Sequence, residues 1–256
     1  MCLAVVALDA HPHYSIVLAA NRDEFHERGA IPAAWGVDPP FANILAGRDL
    51  AAGGTWLGVS RDCRWALVTN VRDGAMADPD ARSRGYLVPR VLNSALPPSS
   101  VIDSIMTSPD TYNGFNLLCG DMAQMVWASN RGMQSRKVAR GIHGLSNAGL
   151  DTPWPKVVRT LALLDAWVYE AERDTEPLFA ALGDRTPADD DLLPSTGVSR
   201  DWERRLSAAF IVSEKYGTRC STVLAIDRSG HARLQERSFH ADGSPSGSVT
   251  HTFARG

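Results

Sequence analysis

The first 24 residues read MCLAVVALDAHPHYSIVLAANRDE. They contain two apolar runs, at 3–8 and 14–20, separated by a turn-like cluster of polar residues and a proline. Two such runs joined by a turn are typical of a buried β-hairpin. In an antiparallel hairpin the end of the second strand meets the start of the first. The pattern therefore predicts that the polar tetrad at 21–24 lies beside Cys2.

The remainder of the chain is predicted to continue as strands with clustered helices. A passage rich in proline and glycine up to Gly54 is expected to exclude long regular elements. Further strands are predicted at 55–59, 65–69, 115–120, 124–128, 138–142, 222–226, 231–235 and 249–253. Helices are predicted at 85–95, at 153–172 with Asp151 or Thr152 as the N-cap, and at 199–210. A further short helix is predicted to begin at Ser100, which would be its N-cap. Because the helices do not follow every strand, we expect antiparallel sheets covered by helices in one α+β domain over residues 1–256.

Composition narrows the class of function. The chain has 256 residues, of which 44% are hydrophobic and 21% charged, as in globular proteins and unlike disordered or collagen-like chains. A net charge of -3 gives no indication of a nucleic-acid or anionic-membrane surface. The apolar runs are far shorter than the ~20 residues that span a bilayer, and the start lacks the features of a signal peptide. We expect a cytoplasmic protein with no integral membrane segment and a small-molecule ligand or substrate.

The cysteines and histidines show no metal or disulfide spacing. Four cysteines are far apart and form no C-x-x-C pair, so neither a disulfide framework nor a zinc site is predicted. The seven histidines also lack ligand spacing. No metal site is therefore predicted, and each cysteine has to be explained by itself.

Cys2 is a candidate nucleophile because of its position. Removal of Met1 would give Cys2 both a thiol and a free α-amine, and an amine with a pKa of ~7.7–8.0 can accept a proton at neutral pH. The alternative is a small buried hydrophobic residue on the first strand. In the tetrad, Arg22 would lower the pKa of a nearby thiol and Asp23 could hold the α-amine. The alternative for the tetrad is a solvated strand end with local charge pairs.

Three further polar residues are candidates for the same site. Asn70 and Asn147 each follow a predicted strand, and amide NH₂ groups are suitable donors to an oxyanion. Asparagine is equally a common residue where strands end in turns. Arg219 opens a buried strand, where an unpaired charge is costly, so it needs either a structural carboxylate or a substrate anion.

Several short motifs occur in a specific order along nearly the whole chain. They are Met1-Cys2, Asn21-Arg22-Asp23-Glu24, Gly53-Gly54-Thr55-Trp56, Thr69-Asn70-Val71-Arg72, Ser83-Arg84-Gly85, Ser146-Asn147, Thr152-Pro153-Trp154-Pro155-Lys156 and Tyr216-Gly217-Thr218-Arg219. In this combination the chain resembles the NRDE family, also called the transport and Golgi organisation protein 2 family. That family looks like an N-terminal nucleophile (Ntn) hydrolase, and its start is similar to bile-salt and penicillin-V acylases. The resemblance implies a four-layer αββα sandwich of two antiparallel sheets flanked by helices.

The resemblance also implies a set of site residues. The positions that match those around the acylase nucleophile Cys2 are Arg22, Asp23, Asn70, Asn147 and Arg219. The order Asn-Arg-Asp-Glu departs from the acylase pattern, so Arg22 need not occupy the acylase arginine position, and Glu24 is an alternative to Asp23.

Two functions follow from the resemblance. The first is an Ntn-type cysteine hydrolase or acyltransferase for a non-peptide amide or acyl compound, which requires no cofactor. The second is a non-enzymatic haem, lipid or acyl-CoA trafficking protein that uses the same pocket, because members of the family have been linked to haem and lipid handling.

Overall fold

Two antiparallel sheets account for the strands of the computed structural model, which describes residues 2–256. The six-stranded sheet contains, in spatial order, β10 (Gly141–Leu145), β1 (Cys2–Leu8), β2 (Tyr14–Phe25), β11 (Tyr216–Asp227), β12 (His231–Phe239) and β13 (Pro245–Ala254). The seven-stranded sheet contains β3 (Ala30–Trp35), β4 (Ile44–Asp49), β5 (Leu57–Ser60), β6 (Trp65–Asn70), β7 (Phe115–Gly120), β8 (Met125–Ser129) and β9 (Gln134–Val138). The helices are α1 (Leu87–Leu92), α2 (Pro98–Met106), α3 (Pro155–Tyr169), α4 (Glu176–Leu182) and α5 (Arg200–Leu206).

Both faces of each sheet are buried near the middle. In β1, Val6 and Leu8 pack towards the other sheet in a core that includes Trp65, whereas Val5 contacts the helix layer formed by α3 and α4. The outer face of the seven-stranded sheet packs against α1 and α2. Burial on both faces explains why β1 is a continuous apolar run instead of an alternating one. The layers are thus helix, sheet, sheet and helix, and the predicted αββα sandwich is confirmed.

The predicted N-terminal hairpin is present, and its register places the tetrad. Cys2 pairs with Arg22, and Leu3 pairs with Asn21. On its other side β2 pairs with β11, where Arg22 faces Cys220. β2 runs to Phe25, so the tetrad belongs to a central strand and is not a solvated strand end.

Several predicted boundaries were wrong. The strand expected at 138–142 is two strands, because β9 ends at Val138 and β10 begins at Gly141 in the other sheet. Gly141 has φ 132°, a conformation that favours glycine and lets the chain leave one sheet for the other. The proline- and glycine-rich passage holds no long element, but it contains the short strands β3 and β4.

Helix starts also differ from the prediction. α2 begins at Pro98, so Ser100 lies inside the helix and does not cap it. α3 has Trp154 at its N-cap and no side-chain cap hydrogen bond, so neither Asp151 nor Thr152 caps it. Asp151 instead accepts a hydrogen bond from the Gly144 amide at 3.0 Å. The short helix α4 was not predicted. Among residues 2–256, no helix is long and apolar enough to cross a membrane.

Candidate active site

A cleft of about 370 Å³ opens at the end of the sandwich where β1 begins. Its lining includes four of the six predicted site residues, namely Cys2, Arg22, Asp23 and Asn70. The first three come from the β1–β2 hairpin, and Asn70 ends β6 of the other sheet. The opposing sheets thus bring together residues that are far apart in the sequence.

Cys2 is half-buried on the wall of this cleft. Its carbonyl oxygen accepts a hydrogen bond from Ser146 Oγ at 2.9 Å. Burial raises the pKa of the Cys2 thiol above its ordinary value of 9.0, and the nearby Arg22 guanidinium lowers it by less. The thiol is therefore protonated at neutral pH and needs a base to react. Met1 and its removal lie outside the described residues.

Arg22 is held in a cluster of charges. Its Nη2 donates to Asp49 Oδ2 at 2.9 Å, and its guanidinium lies 4.6 Å from the centre of the Trp56 ring. Arg28 Nε donates to the same Asp49 oxygen at 2.6 Å. Burial alone would raise the pKa of Asp49, but the two arginines and a backbone amide hold it below its ordinary value. Arg22 is thus paired and fixed beside Cys2, with Glu24 3.9 Å away.

Asp23 connects the cleft to the helix layer. Its Oδ1 accepts a hydrogen bond from Thr218 Oγ1 at 2.7 Å, and its carbonyl accepts one from the Tyr216 hydroxyl at 3.0 Å. Burial raises the pKa of the Asp23 carboxyl, and Lys156 opposes this effect. Asp23 is therefore a buried acid stabilised by polar groups behind Cys2.

Lys156 was missed in the sequence. It is 1% exposed, and its Nζ has no hydrogen-bond partner among residues 2–256. Burial lowers the pKa of its ammonium group, whereas Asp23 and Cys2 raise it. A signal was available, because Lys156 shares a helical stripe with the buried Thr160 and Leu164.

Asn147 supports Asn70 and does not line the cleft. Asn147 is 0% exposed, and its Nδ2 donates to Asn70 O at 2.9 Å and to Asn70 Oδ1 at 3.0 Å. Both of its N–H groups are thus used, which leaves the amide nitrogen of Asn70 as the donor on the cleft side. Thr69 Oγ1 also donates to Ser146 O at 2.8 Å. We refer to the contacts of Ser146 and Asn147 with Cys2, Thr69 and Asn70 as the 146–147 bracket.

The structure does not bring Arg219 into the cleft. Arg219 sits at a bulge in β11, and its Nη1 donates to the His26 carbonyl at 2.8 Å. It lines a neighbouring cavity of about 240 Å³ together with Arg22 and Cys220. Its partner is thus neither a structural carboxylate nor a group next to Cys2.

Two glycine motifs bring a further arginine to the cleft. Gly54 and Gly85 touch so closely that a Cβ on Gly54 would lie 2.7 Å from the Cα of Gly85. The Gly85 carbonyl accepts a hydrogen bond from the Thr55 amide at 3.1 Å. This contact requires glycine at both positions and places Arg84 on the cleft wall. Burial lowers the pKa of Arg84, and the charges of Cys2 and Glu24 oppose that change.

Asn21, the first residue of the tetrad, has a structural role. It is 1% exposed, and its Nδ2 donates to the carbonyls of Leu182 and Ala209, both at 2.8 Å. Its Oδ1 accepts a hydrogen bond from Ser221 Oγ at 2.6 Å. The tetrad therefore combines one residue that anchors the helix layer with three that line the cleft.

Comparison with known sequences assigns this arrangement to a family. The family described as Transport and Golgi organisation 2 matches residues 1–241. The chain belongs to that family. Among its relatives, the Transport and Golgi organization 2 homologue of Mus musculus is 32% identical, and the homologue of Bos taurus is 34% identical. Each comparison covers 93% of this chain and 93% of the relative.

Solved structures with the same fold are Ntn hydrolases. The Caenorhabditis elegans N-acylethanolamine-hydrolyzing acid amidase orthologue has a TM-score of 0.53 at 12% identity, covering 87% of this chain and 92% of that one. The C2A mutant of conjugated bile acid hydrolase from Clostridium perfringens has a TM-score of 0.51 at 10% identity, covering 100% and 98%. At these identities the likeness establishes the Ntn-hydrolase fold of this family member and no more.

Proposed function

We propose that this protein is an N-terminal-cysteine hydrolase or acyltransferase that acts on a non-peptide amide or other acyl compound. The observation that carries the proposal is the position of Cys2, on the wall of a cleft beside Arg22 and opposite Asn70. Acyl transfer uses a nucleophile and a donor to the oxyanion, and a nearby cation favours the ionised nucleophile. The structural neighbours are themselves named as an amidase and a bile acid hydrolase.

The reaction begins once Met1 has been removed. The α-amine of Cys2 takes the thiol proton, and the sulphur forms a bond with the carbonyl carbon of the substrate. The Asn70 amide donates to the oxyanion, and Asn147 holds that amide in place. The C–N bond then breaks as the protonated amine gives its proton to the leaving group. Water, or an acceptor amine, cleaves the resulting thioester and restores the thiol.

Asp23 and Lys156 act behind the nucleophile. The Asp23 carboxylate accepts a hydrogen bond from the α-amine of Cys2 and so orients it. Lys156 favours the ionised form of Asp23 despite burial. Arg22, paired with Asp49, lowers the pKa of the thiol and favours the thiolate.

The test compares Cys2→Ala with Cys220→Ala in release of product from a panel of N-acyl amides and acyl thioesters. Cys220 is a matched control because it is buried and faces the same Arg22. We expect Cys2→Ala to abolish turnover and Cys220→Ala to retain it, with circular dichroism showing that both variants fold. Mass spectrometry of the N-terminal peptide reports in parallel whether Met1 is removed. Turnover that is unchanged in Cys2→Ala refutes the mechanism.

A second candidate function is the non-enzymatic carrier of a lipid-like ligand. A groove of about 630 Å³ beside α4 favours it, since the groove is lined by Phe179, Phe210 and Phe239 with Arg185 and Arg237. This lining suits an acyl chain with an anionic head. The lining of the Cys2 cleft is strongly charged and contains no histidine among residues 2–256, so haem is tested separately from lipid-like ligands.

The carrier function is tested by titrating a fluorescent fatty acid and, separately, haem. Saturable binding that survives Cys2→Ala and is weakened by Phe210→Ser supports a carrier that uses the groove. No saturation at micromolar ligand excludes the carrier function.

A further inference from the structure

The arginines of the Cys2 cleft differ in what they contact. Four arginines line it, namely Arg22, Arg28, Arg82 and Arg84. The first two pair with Asp49 and lie within 4 Å of Glu24. Within residues 2–256, neither Arg82 nor Arg84 has a carboxylate at salt-bridge distance.

Arg84 is held in place while most of its donors stay available. Its Nη1 donates to the Gly114 carbonyl at 2.8 Å, and its backbone is fixed by the contact between Gly54 and Gly85. A guanidinium has five N–H donors in a rigid plane, and one bond to a carbonyl leaves the Nε and Nη2 edge for a ligand. Such an edge matches the two oxygens of a carboxylate or phosphate.

Within the part of the chain that the structure describes, none of the carboxylates that line the cleft pairs with the free edge of Arg84. Glu24 and Asp49 are used by Arg22 and Arg28, and Asp23 accepts from Thr218 on the helix side. The remaining acid, Asp78, accepts from the backbone amide of Asp80 at the rim. The positive charge of Arg84 next to the nucleophile is thus left for a group from outside the chain.

We propose that Arg84, assisted by Arg82 at the rim, binds an anionic group of the substrate, a carboxylate or a phosphate, beside Cys2. The proposal rests on the proposed function in that the anion belongs to the acyl compound that Cys2 attacks. It narrows the substrates to acyl compounds that carry a carboxylate or a phosphate close to the scissile bond.

The first test uses two alkylating reagents of nearly equal size, iodoacetate and iodoacetamide. In both reactions the Cys2 sulphur forms a bond to carbon and iodide leaves, but only iodoacetate carries a charge. The rate ratio at Cys2, divided by that of free cysteine, measures the preference for an anion. We expect a preference of about tenfold or more that Arg84→Gln removes. Arg90→Gln, an exposed arginine of α1 bonded to Ser104, should leave the ratio unchanged.

The second test measures binding without any reaction at Cys2. Isothermal titration with inorganic pyrophosphate and, separately, with succinate distinguishes a phosphate from a carboxylate preference. We expect saturable binding of one of them that weakens by about tenfold or more in Arg84→Gln and not in Arg90→Gln. Binding that is absent, or equal in Arg84→Gln, overturns the anion site.

The two tests separate this proposal from the hydrolase. If no acyl substrate is turned over but anions still bind, the proposed function is refuted and the anion site is not. Turnover that depends on Cys2 but is equal for anionic and neutral acyl amides refutes the anion site alone.

Discussion

Replacement of Asn21 by alanine tests whether the first residue of the tetrad is structural. The substitution removes the hydrogen bonds to the carbonyls of Leu182 and Ala209 and the one from Ser221, all of them buried. A buried polar group left without its partner costs about 1–3 kcal/mol. Three such groups should lower the free energy of unfolding by about 3–9 kcal/mol, a large share of the usual total of about 5–15 kcal/mol. For a chain of this size that corresponds to about 10 °C or more in Tm.

The variant Asn21→Asp makes the test more selective. It keeps the acceptor for Ser221 but turns a carboxylate oxygen towards two carbonyl oxygens that the amide group now holds at 2.8 Å. Asn21→Asp should therefore be less stable than Asn21→Ala at pH 7. The two carbonyl oxygens would raise the pKa of the introduced carboxyl in the folded state above its value in the unfolded chain. The variant should therefore lose stability as pH rises from 4 towards 7, and regain it when the pH is lowered and the acid is protonated.

Unfolding in urea, followed by circular dichroism and tryptophan fluorescence, gives the free energies. Asn93→Ala is the control, because its single bond to the Pro40 carbonyl is exposed and should contribute less than about 1 kcal/mol. A loss below about 1 kcal/mol in Asn21→Ala, or a more stable Asn21→Asp at pH 7, would refute the reasoning.

Three further predictions concern the cleft. In the chain that keeps its initiator methionine, alkylation of Cys2 by iodoacetamide should rise about tenfold per pH unit to above pH 9, because burial raises the thiol pKa; a plateau below pH 8 would contradict this. Lys156→Met should lower the free energy of unfolding, measured in urea, by about 3 kcal/mol. The double variant Lys156→Met with Asp23→Asn should recover most of that loss, whereas an equal loss in the single and double variants would mean that the two residues are not coupled. Asn147→Ala should reduce kcat by about tenfold to a hundredfold through loss of the Asn70 orientation, while leaving the alkylation rate of Cys2 unchanged.

The parts of the fold that could be predicted depend on local patterns. The β1–β2 hairpin follows from two apolar runs and a turn, and antiparallel geometry then places Arg22 beside Cys2. The split between β9 and β10 was not predicted, although Arg140 and Gly141 interrupt the apolar residues there. It depends on the backbone conformation of Gly141.

The site residues that could be predicted from the sequence are those that lie on strands. Cys2 begins β1, Arg22 and Asp23 lie near the end of β2, and Asn70 ends β6. All four line the same cleft. Arg84 reaches the cleft through a backbone contact between two distant glycines. The docking of α3 buries Lys156 close enough for its charge to act on Asp23 and Cys2. Arg219 sits at a bulge in β11 and does not line the cleft. Such contacts depend on tertiary packing that spacing along the chain does not encode.

The 146–147 bracket has a consequence for how this family can diversify. It ties the strand of Cys2 directly to the strand of Asn70 across the two sheets. The spacing between Cys2 and Asn70 thus does not depend on the loop at 73–86, which contributes Arg84 and other residues to the lining of the cleft. Under the proposed function, substitutions or insertions in that loop can change which compounds enter the cleft while the spacing between Cys2 and Asn70 is kept. Relatives that share the bracket but differ in this loop should therefore share a chemistry and differ in what they accept.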